Sequence, residues 1–307
     1  MINSAVMKSL REDFNYYYKH FFFLHFALIF GTPLVLWHGF RNVELQPKTV
    51  VLSLVLFPIY GIAIAAGYHR LWSHRSYRAC LALRYFLASA GAGQFQWSIL
   101  WWARHHRAHH RYLDSEKDPY NARRGLLYSH IGWLIGYNPD AWGKADVSDL
   151  EKDPVVVWQQ RYYVLIAVIA GLLVPATIAH VGWNDWWGGF FYAGGFRLYI
   201  YLHFTFLLNS LAHYAGDQPY STEHTPRDNL LLALVTSGEG YHNFHHTFPA
   251  DYRSGVHWYA FDPSKWFIWS CTELGLASSP FRTPERDIKF AVEKNHMGKT
   301  KANHQVL

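Results

Sequence analysis

Cysteine is nearly absent from this 307-residue chain: it has two, Cys80 and Cys271, too few for a disulfide scaffold or a cysteine-rich zinc or iron–sulfur module. Charge is scarce as well. Lys, Arg, Asp and Glu make up 16 % of the residues, against about 25 % in an ordinary soluble domain. The hydrophobic set reaches 50 % and aromatics 18 %, which excludes a disordered chain. No basic run, internal repeat or low-complexity segment is present, so the net charge of +6 is not read as a footprint for nucleic acid. Nor does the N-terminus resemble a cleavable signal, because acidic and aromatic residues precede the first apolar run. What the chain has in excess is histidine, 20 in all.

Mean hydropathy is close to neutral at −0.09, but the apolar residues are concentrated. Four stretches, 21–37, 50–67, 162–181 and 190–208, approach the roughly 20 residues that cross a bilayer. Short segments at 41–48 and 182–189 join them in pairs. The expected fold is therefore an all-α membrane protein with four transmembrane helices in two hairpins and a helical cap. Lys8, Arg11 and Lys19 precede the first stretch, and Arg70, Arg75, Arg78, Arg84, Arg104, Arg107, Arg111, Arg123 and Arg124 crowd the segment between the hairpins. Positive charge stays on the cytosolic side, so the cap and both termini are expected there. Arg197 and His203 fall inside the fourth stretch and should face the bundle interior or a water-filled cavity. Residues 1–276 read as one domain and 277–307 as a polar tail, frayed from 293 onward.

The histidines gather in groups: His69 with His74; His105, His106, His109 and His110; His242, His245 and His246; and His213, four residues after Asn209. Residues three and four apart share a helical face, so His106, His109 and His110 point one way and His242, His245 and His246 repeat the pattern. Every group lies just beyond the end of an apolar stretch. His20, His25, His38, His130, His180, His224, His257, His296 and His304 are read as ordinary surface or core residues. Nine imidazoles are too many for one ion but fit two adjacent ions, and imidazole suits zinc, copper, iron and nickel. A pair of redox-active irons (Fe2+/Fe3+) can activate dioxygen, which a zinc pair cannot. Beside an apolar bundle, such a centre points to a long apolar substrate.

At these residues the chain resembles the membrane acyl-CoA desaturases of the stearoyl-CoA (Δ9) type, over roughly residues 14–276. The strings that carry the resemblance are GYHRLWSHRSY (67–77), WWARHHRAHHRY (101–112), DPYNARRGLLYSHIGW (118–133), NSLAHYAG (209–216) and GEGYHNFHHTFPADYR (238–253). It implies a four-span protein whose cytosolic cap holds two irons. One iron would take His69, His74, His106, His110 and His245. The other would take His109, His213, His242 and His246, with Asn209 reaching it through water. His105 stands where the animal enzymes usually carry Asp and is not counted as a ligand. The family's acyl chain lies in a bent tunnel; by position Gln96, Trp102 and Thr205 would line its kink, and Phe57 and Gly61 its closed end, where a small Gly61 would leave room. Arg104 and Arg161 match basic positions near the acyl-CoA headgroup, where cations meet phosphates.

The implied reaction is an oxygen-dependent dehydrogenation that inserts a cis double bond into a long-chain acyl-CoA, with dioxygen reduced to water. The alternative is a desaturase or hydroxylase acting on another lipid or a specialised acyl chain. A histidine-rich metal transporter would instead string ligands along a membrane-crossing path. No His-Pro-Gly-Gly haem signature is present, so the expected electron donors are a separate cytochrome b5 and its NAD(P)H reductase. The expected location is the endoplasmic reticulum membrane.

Overall fold

The computed structural model describes residue 19 and residues 21–304. Lys8, Arg11, His20 and the start of the resemblance lie outside them. The described residues are mostly helical. The helices that position the site and the spans are α1 (Phe23–Asn42), α2 (Pro47–Ser73), α3 (Leu81–Ala92), α4 (Ile99–Tyr112), α5 (Pro154–Arg161), α6 (Tyr163–Trp183), α7 (186–209), α8 (Leu230–Val235), α9 (His242–Thr247), α10 (Pro263–Glu273) and α11 (Glu285–His304). The only sheet among the described residues pairs β1 (Arg78–Ala79) antiparallel with β2 (Ala277–Ser278).

Local chemistry sets the ends of these helices. Pro47 opens α2 at a position whose N–H has no helical partner anyway. Asn184, at φ 56°, closes α6 in the left-handed conformation that asparagine tolerates. Asp185 then caps the start of α7 by accepting from the Gly188 N–H. Thr49, at the start of α2, donates to Asp185 and accepts from Trp183 Nε1, so the two turns between paired helices are bonded to each other. Ser98 and Asp153 cap α4 and α5.

Two helices, Pro47–Ser73 and Tyr163–Trp183, are long and apolar enough to cross a membrane, with mean hydropathy 2.3 and 2.4. The expected stretch 50–67 is therefore the inner part of a longer helix. Its last turns, Ala63–Ser73, are wound as a π-helix and are buried throughout. Arg197 points inward: its guanidinium donates to Ala193 O (2.7 Å) and Gln94 Oε1 (3.1 Å) and lies 4.0 Å from the Tyr60 ring centroid. His203 is half-buried, and its Nδ1 lies 3.2 Å from His130 Nε2.

The C-terminal segment is polar, as its composition implies, and it is also bonded to the rest of the protein. Through β2 it pairs with β1, Tyr252 N donates to Phe281 O (2.9 Å), and Thr283 N donates to Asp251 Oδ2 (2.8 Å). In α11, Ile288 and Asn295 are buried, and Asn295 Nδ2 donates to Gln218 O at 2.8 Å. Residues 277–295 thus pack against the rest of the protein; 305–307 lie outside the described residues.

Candidate metal centre

Four chain segments deliver the clustered histidines. His69 and His74 come from the end of α2, His106, His109 and His110 from α4, His213 from the turn after α7, and His242, His245 and His246 from α9. On an α-helix a five-residue spacing would splay His69 from His74. The π-helical winding accommodates the extra residue, with His74 N bonded to His69 O at 3.0 Å, and the rings come to 4.8 Å. The short α9 is held from the side: Asp228 Oδ1 accepts from the backbone N–H of Asn243 (2.7 Å) and Phe244 (3.1 Å). Burial pushes the Asp228 carboxyl up to about 7, against the pull of those two bonds.

The structure sorts these residues into two groups whose ligand atoms all lie within 4.8 Å of one another: His69, His74, His106, His110 and His245; and His109, His213, His242 and His246. These are the two sets into which the resemblance divides them. The groups abut, with the His110 and His246 rings stacked at 4.2 Å. In the first, Nε2 atoms approach at 2.8 Å (His74 and His106), 2.9 Å (His69 and His245) and 3.0 Å (His245 and His110). In the second, His242 Nε2 lies 3.2 Å from His213 Nε2 and 3.1 Å from His246 Nε2. Burial first, then mutual repulsion, holds the imidazoles of His74, His106, His110, His245 and His246 well below 6.5; His242 falls to about 3. They are neutral bases.

This donor set fits a metal pair. Where Nδ1 meets an outward acceptor, as in His69, His109 and His213, it carries the proton and Nε2 turns a lone pair inward, an arrangement that repels unless a cation lies between the rings. A metal–nitrogen bond of about 2.0–2.1 Å places neighbouring ligands of an octahedron about 3 Å apart, the spacing found here. Five nitrogens exceed the four of a structural zinc site, and imidazole suits iron equally.

Asn209 ends α7 half-buried, four residues before His213. His105 belongs to neither group: its Nδ1 lies 2.7 Å from Trp101 O, and its ring sits between Trp101 (4.1 Å) and Trp142 (5.0 Å). It lines a cleft of about 580 Å³ together with Arg104, Tyr137 and Lys144. Arg104 pairs with Glu151 at 3.2 Å. Arg161 is not among the residues lining that cleft; its guanidinium lies 5.4 Å from the Tyr162 ring centroid. Three other expected residues do meet. Trp102 Nε1 donates to Gln96 Oε1 (3.3 Å), Gln96 Nε2 donates to Thr205 Oγ1 (2.9 Å), and the Trp102 ring stacks on His106 at 4.7 Å. Phe57 packs on Tyr201 at 5.3 Å. Gly61 leaves no room beside it: a Cβ there would lie 2.7 Å from Tyr201 Cε2 and 2.9 Å from Ser237 Oγ. The glycine serves close helix packing, a correction to the space expected at this position.

Behind the histidines stand partners that helical spacing does not announce. Glu239 Oε2 lies 2.7 Å from His69 Nδ1, Asp118 Oδ1 lies 2.8 Å from His109 Nδ1, and Thr225 Oγ1 lies 2.7 Å from His213 Nδ1. Burial would raise the Glu239 carboxyl, but Arg70 and His69 outweigh it and hold it down at about 2. Glu239 and Asp118 lie inside strings already quoted, and a carboxylate within a histidine-bearing string was the available signal.

Comparison with known proteins agrees with this geometry. A family model described as fatty acid desaturase matches residues 46–270. The chain is 46 % identical to a probable acyl-CoA desaturase of Schizosaccharomyces pombe over 277 residues, 90 % of this chain and 58 % of that protein. It is 42 % identical to acyl-CoA desaturase 1 of Saccharomyces cerevisiae over 294 residues, 94 % of this chain and 58 % of the relative. With stearoyl-CoA desaturase 5 of Homo sapiens it shares 41 % over 260 residues, 83 % of this chain and 77 % of that one. The match thus spans 58 % of the length of each of the two fungal relatives.

Proposed function

The chain belongs to the fatty acid desaturase family, and from that premise we propose that it inserts a cis double bond at Δ9 of a long-chain fatty acyl-CoA, using dioxygen and a diiron centre. The observation that carries this reading is the convergence of nine histidines into two abutting groups with inward-facing nitrogens. His69, His74, His106, His110 and His245 would hold one iron; His109, His213, His242 and His246 would hold the other, with Asn209 assigned to it through water. Iron bound there supplies the one-electron chemistry by which dioxygen oxidises an unactivated methylene.

The chain's own contribution is position. Trp102, Gln96 and Thr205 form a hydrogen-bonded bar across the apolar interior, with the Trp102 ring against His106. An alkyl chain cannot push through that bar without leaving buried polar groups unpaired, a cost of about 1–3 kcal/mol each. The bar therefore turns the chain beside the first histidine group and fixes which carbons lie next to it. Arg104 and Lys144, on the cleft that His105 lines, are assigned to the phosphates of the thioester's carrier, and Arg161 to the same headgroup farther out.

Four spans are assigned to α1, α2, α6 and α7, in two hairpins. Large side chains on the outer faces of three of them, such as Leu34, Leu54, Val164 and Val181, are exposed, which suits a lipid surround. The cap and both termini are assigned to the cytosolic side of the endoplasmic reticulum membrane, with electrons delivered by a cytochrome b5 and its NAD(P)H reductase. Expression in cells lacking their own desaturase tests the reading. The expected product is an acyl chain lighter by two hydrogens, with its new bond located at Δ9 by mass spectrometry. A product heavier by one oxygen, or a different lipid altered, overturns it.

A further inference from the structure

Each imidazole that turns its Nε2 inward leaves an Nδ1 facing outward, and what meets those outward atoms differs between the two groups. In the first group Glu239 meets His69. The charge of Glu239 is balanced on the spot: Arg70, buried beside it, donates to Glu239 Oε1 at 2.6 Å and 3.1 Å and to both carboxylate oxygens of Asp262. Lys265 stands at the far side of Asp262, donating to the backbone carbonyls of Gly255, His257 and Ala260. Glu239 is thus paired directly with a buried guanidinium.

The second group is built differently. Asp118 is buried against His109, and its other partners are the backbone N–H groups of Asp114 (3.1 Å) and Tyr120 (3.0 Å). Among the described residues no lysine or arginine pairs with it. A second carboxylate acts at one remove. Thr225 Oγ1 donates its single proton to Asp114 Oδ1 (2.6 Å) and so accepts from His213 Nδ1–H (2.7 Å). Asp114 is held in the left-handed conformation, at φ 61°, by the Thr225 N–H and the rest of this loop. The cation nearest it, Arg123 at 4.0 Å, is exposed, where water screens it.

A carboxylate that accepts from the outer N–H of a ligand imidazole fixes its tautomer and makes its inner nitrogen a stronger donor. Resting on the diiron reading, we propose that Asp118, together with Asp114 acting through Thr225, makes the two metal sites electronically unequal. The four-histidine site carries the unbalanced negative charge, so an iron held there is the more electron-rich of the pair. Asp118 and Asp114 are positioning residues, acting through His109 and His213 and touching neither metal nor substrate. The five-histidine site gains orientation from Glu239 and little net charge.

The test uses the full chain, purified in detergent and loaded with 57Fe, and reads the two irons by Mössbauer spectroscopy alongside iron retention under a chelator. In Asp118→Asn the amide oxygen still accepts from His109, but the charge is gone. One quadrupole doublet is expected to move while the other stays, and one iron is lost about ten- to a hundredfold more readily. Glu239→Gln is expected to leave the doublet that Asp118→Asn moves unchanged. If Asp118→Asn does not fold, Thr225→Val carries the test by cutting the relay to His213, and the same doublet should move. Equal movement of both doublets, or unchanged doublets and retention in the folded variant, overturns the inference while leaving the diiron reading intact. Wild-type chain that retains fewer than two irons overturns that reading and the inference with it.

Discussion

His245 shows what a single residue does in this protein. Its Nε2 approaches the nitrogens of both His69 and His110, so one side chain joins contributions from α2, α4 and α9. Replacing it with alanine is expected to abolish desaturation and remove one of two bound irons, with membrane insertion unchanged; fractionation, iron analysis and product analysis check this together. The neutrality of the group has a pH consequence. His242 is held at about 3 by burial, so between that value and the usual 6.5 the unfolded chain binds a proton that the folded, metal-free chain refuses. Its stability is full above about pH 6.5 and falls as the pH drops toward 3. Thermal unfolding of metal-free protein should give a midpoint that climbs from about pH 4 to pH 7; a flat or falling profile would contradict it. The histidines were legible in the sequence because helical spacing writes them onto one face. Their outward partners were not: Glu239 stands 170 positions from His69, and only the fold brings them together.

Among the elements, α2 carries the most information. Its apolar letters announce a span, but they do not reveal that its last eleven residues are π-helical, the winding that lets His69 and His74 share a face. The same helix explains Gly61. From the letters alone a small residue reads as space; in the fold it is a contact with Tyr201, whose hydroxyl also donates to Gly61 O at 3.1 Å. Gly61→Leu should therefore destabilise the protein by about 1–3 kcal/mol through overpacking, lowering the thermal midpoint. The chain-length profile of the remaining folded enzyme should stay as it was; a shortened profile at unchanged stability would restore the tunnel-end reading. The packing of α11 is hidden in the letters for a related reason. A mostly polar helix has no apolar stripe strong enough to mark it, and the buried Ile288 and Asn295 are recognisable only once their neighbours are in place.

At the scale of the molecule, two halves far apart in sequence depend on each other. The turns of the paired helices meet through Thr49, Trp183 and Asp185, and every histidine group needs residues from another segment to complete it. Their convergence in space is the premise of the proposed chemistry. Locating the metal tests it most directly: X-ray anomalous scattering at the iron edge from the iron-loaded protein. Two iron peaks are expected, one among His69, His74, His106, His110 and His245 and one among His109, His213, His242 and His246. A single peak, or iron bound elsewhere with both histidine groups empty, would contradict it.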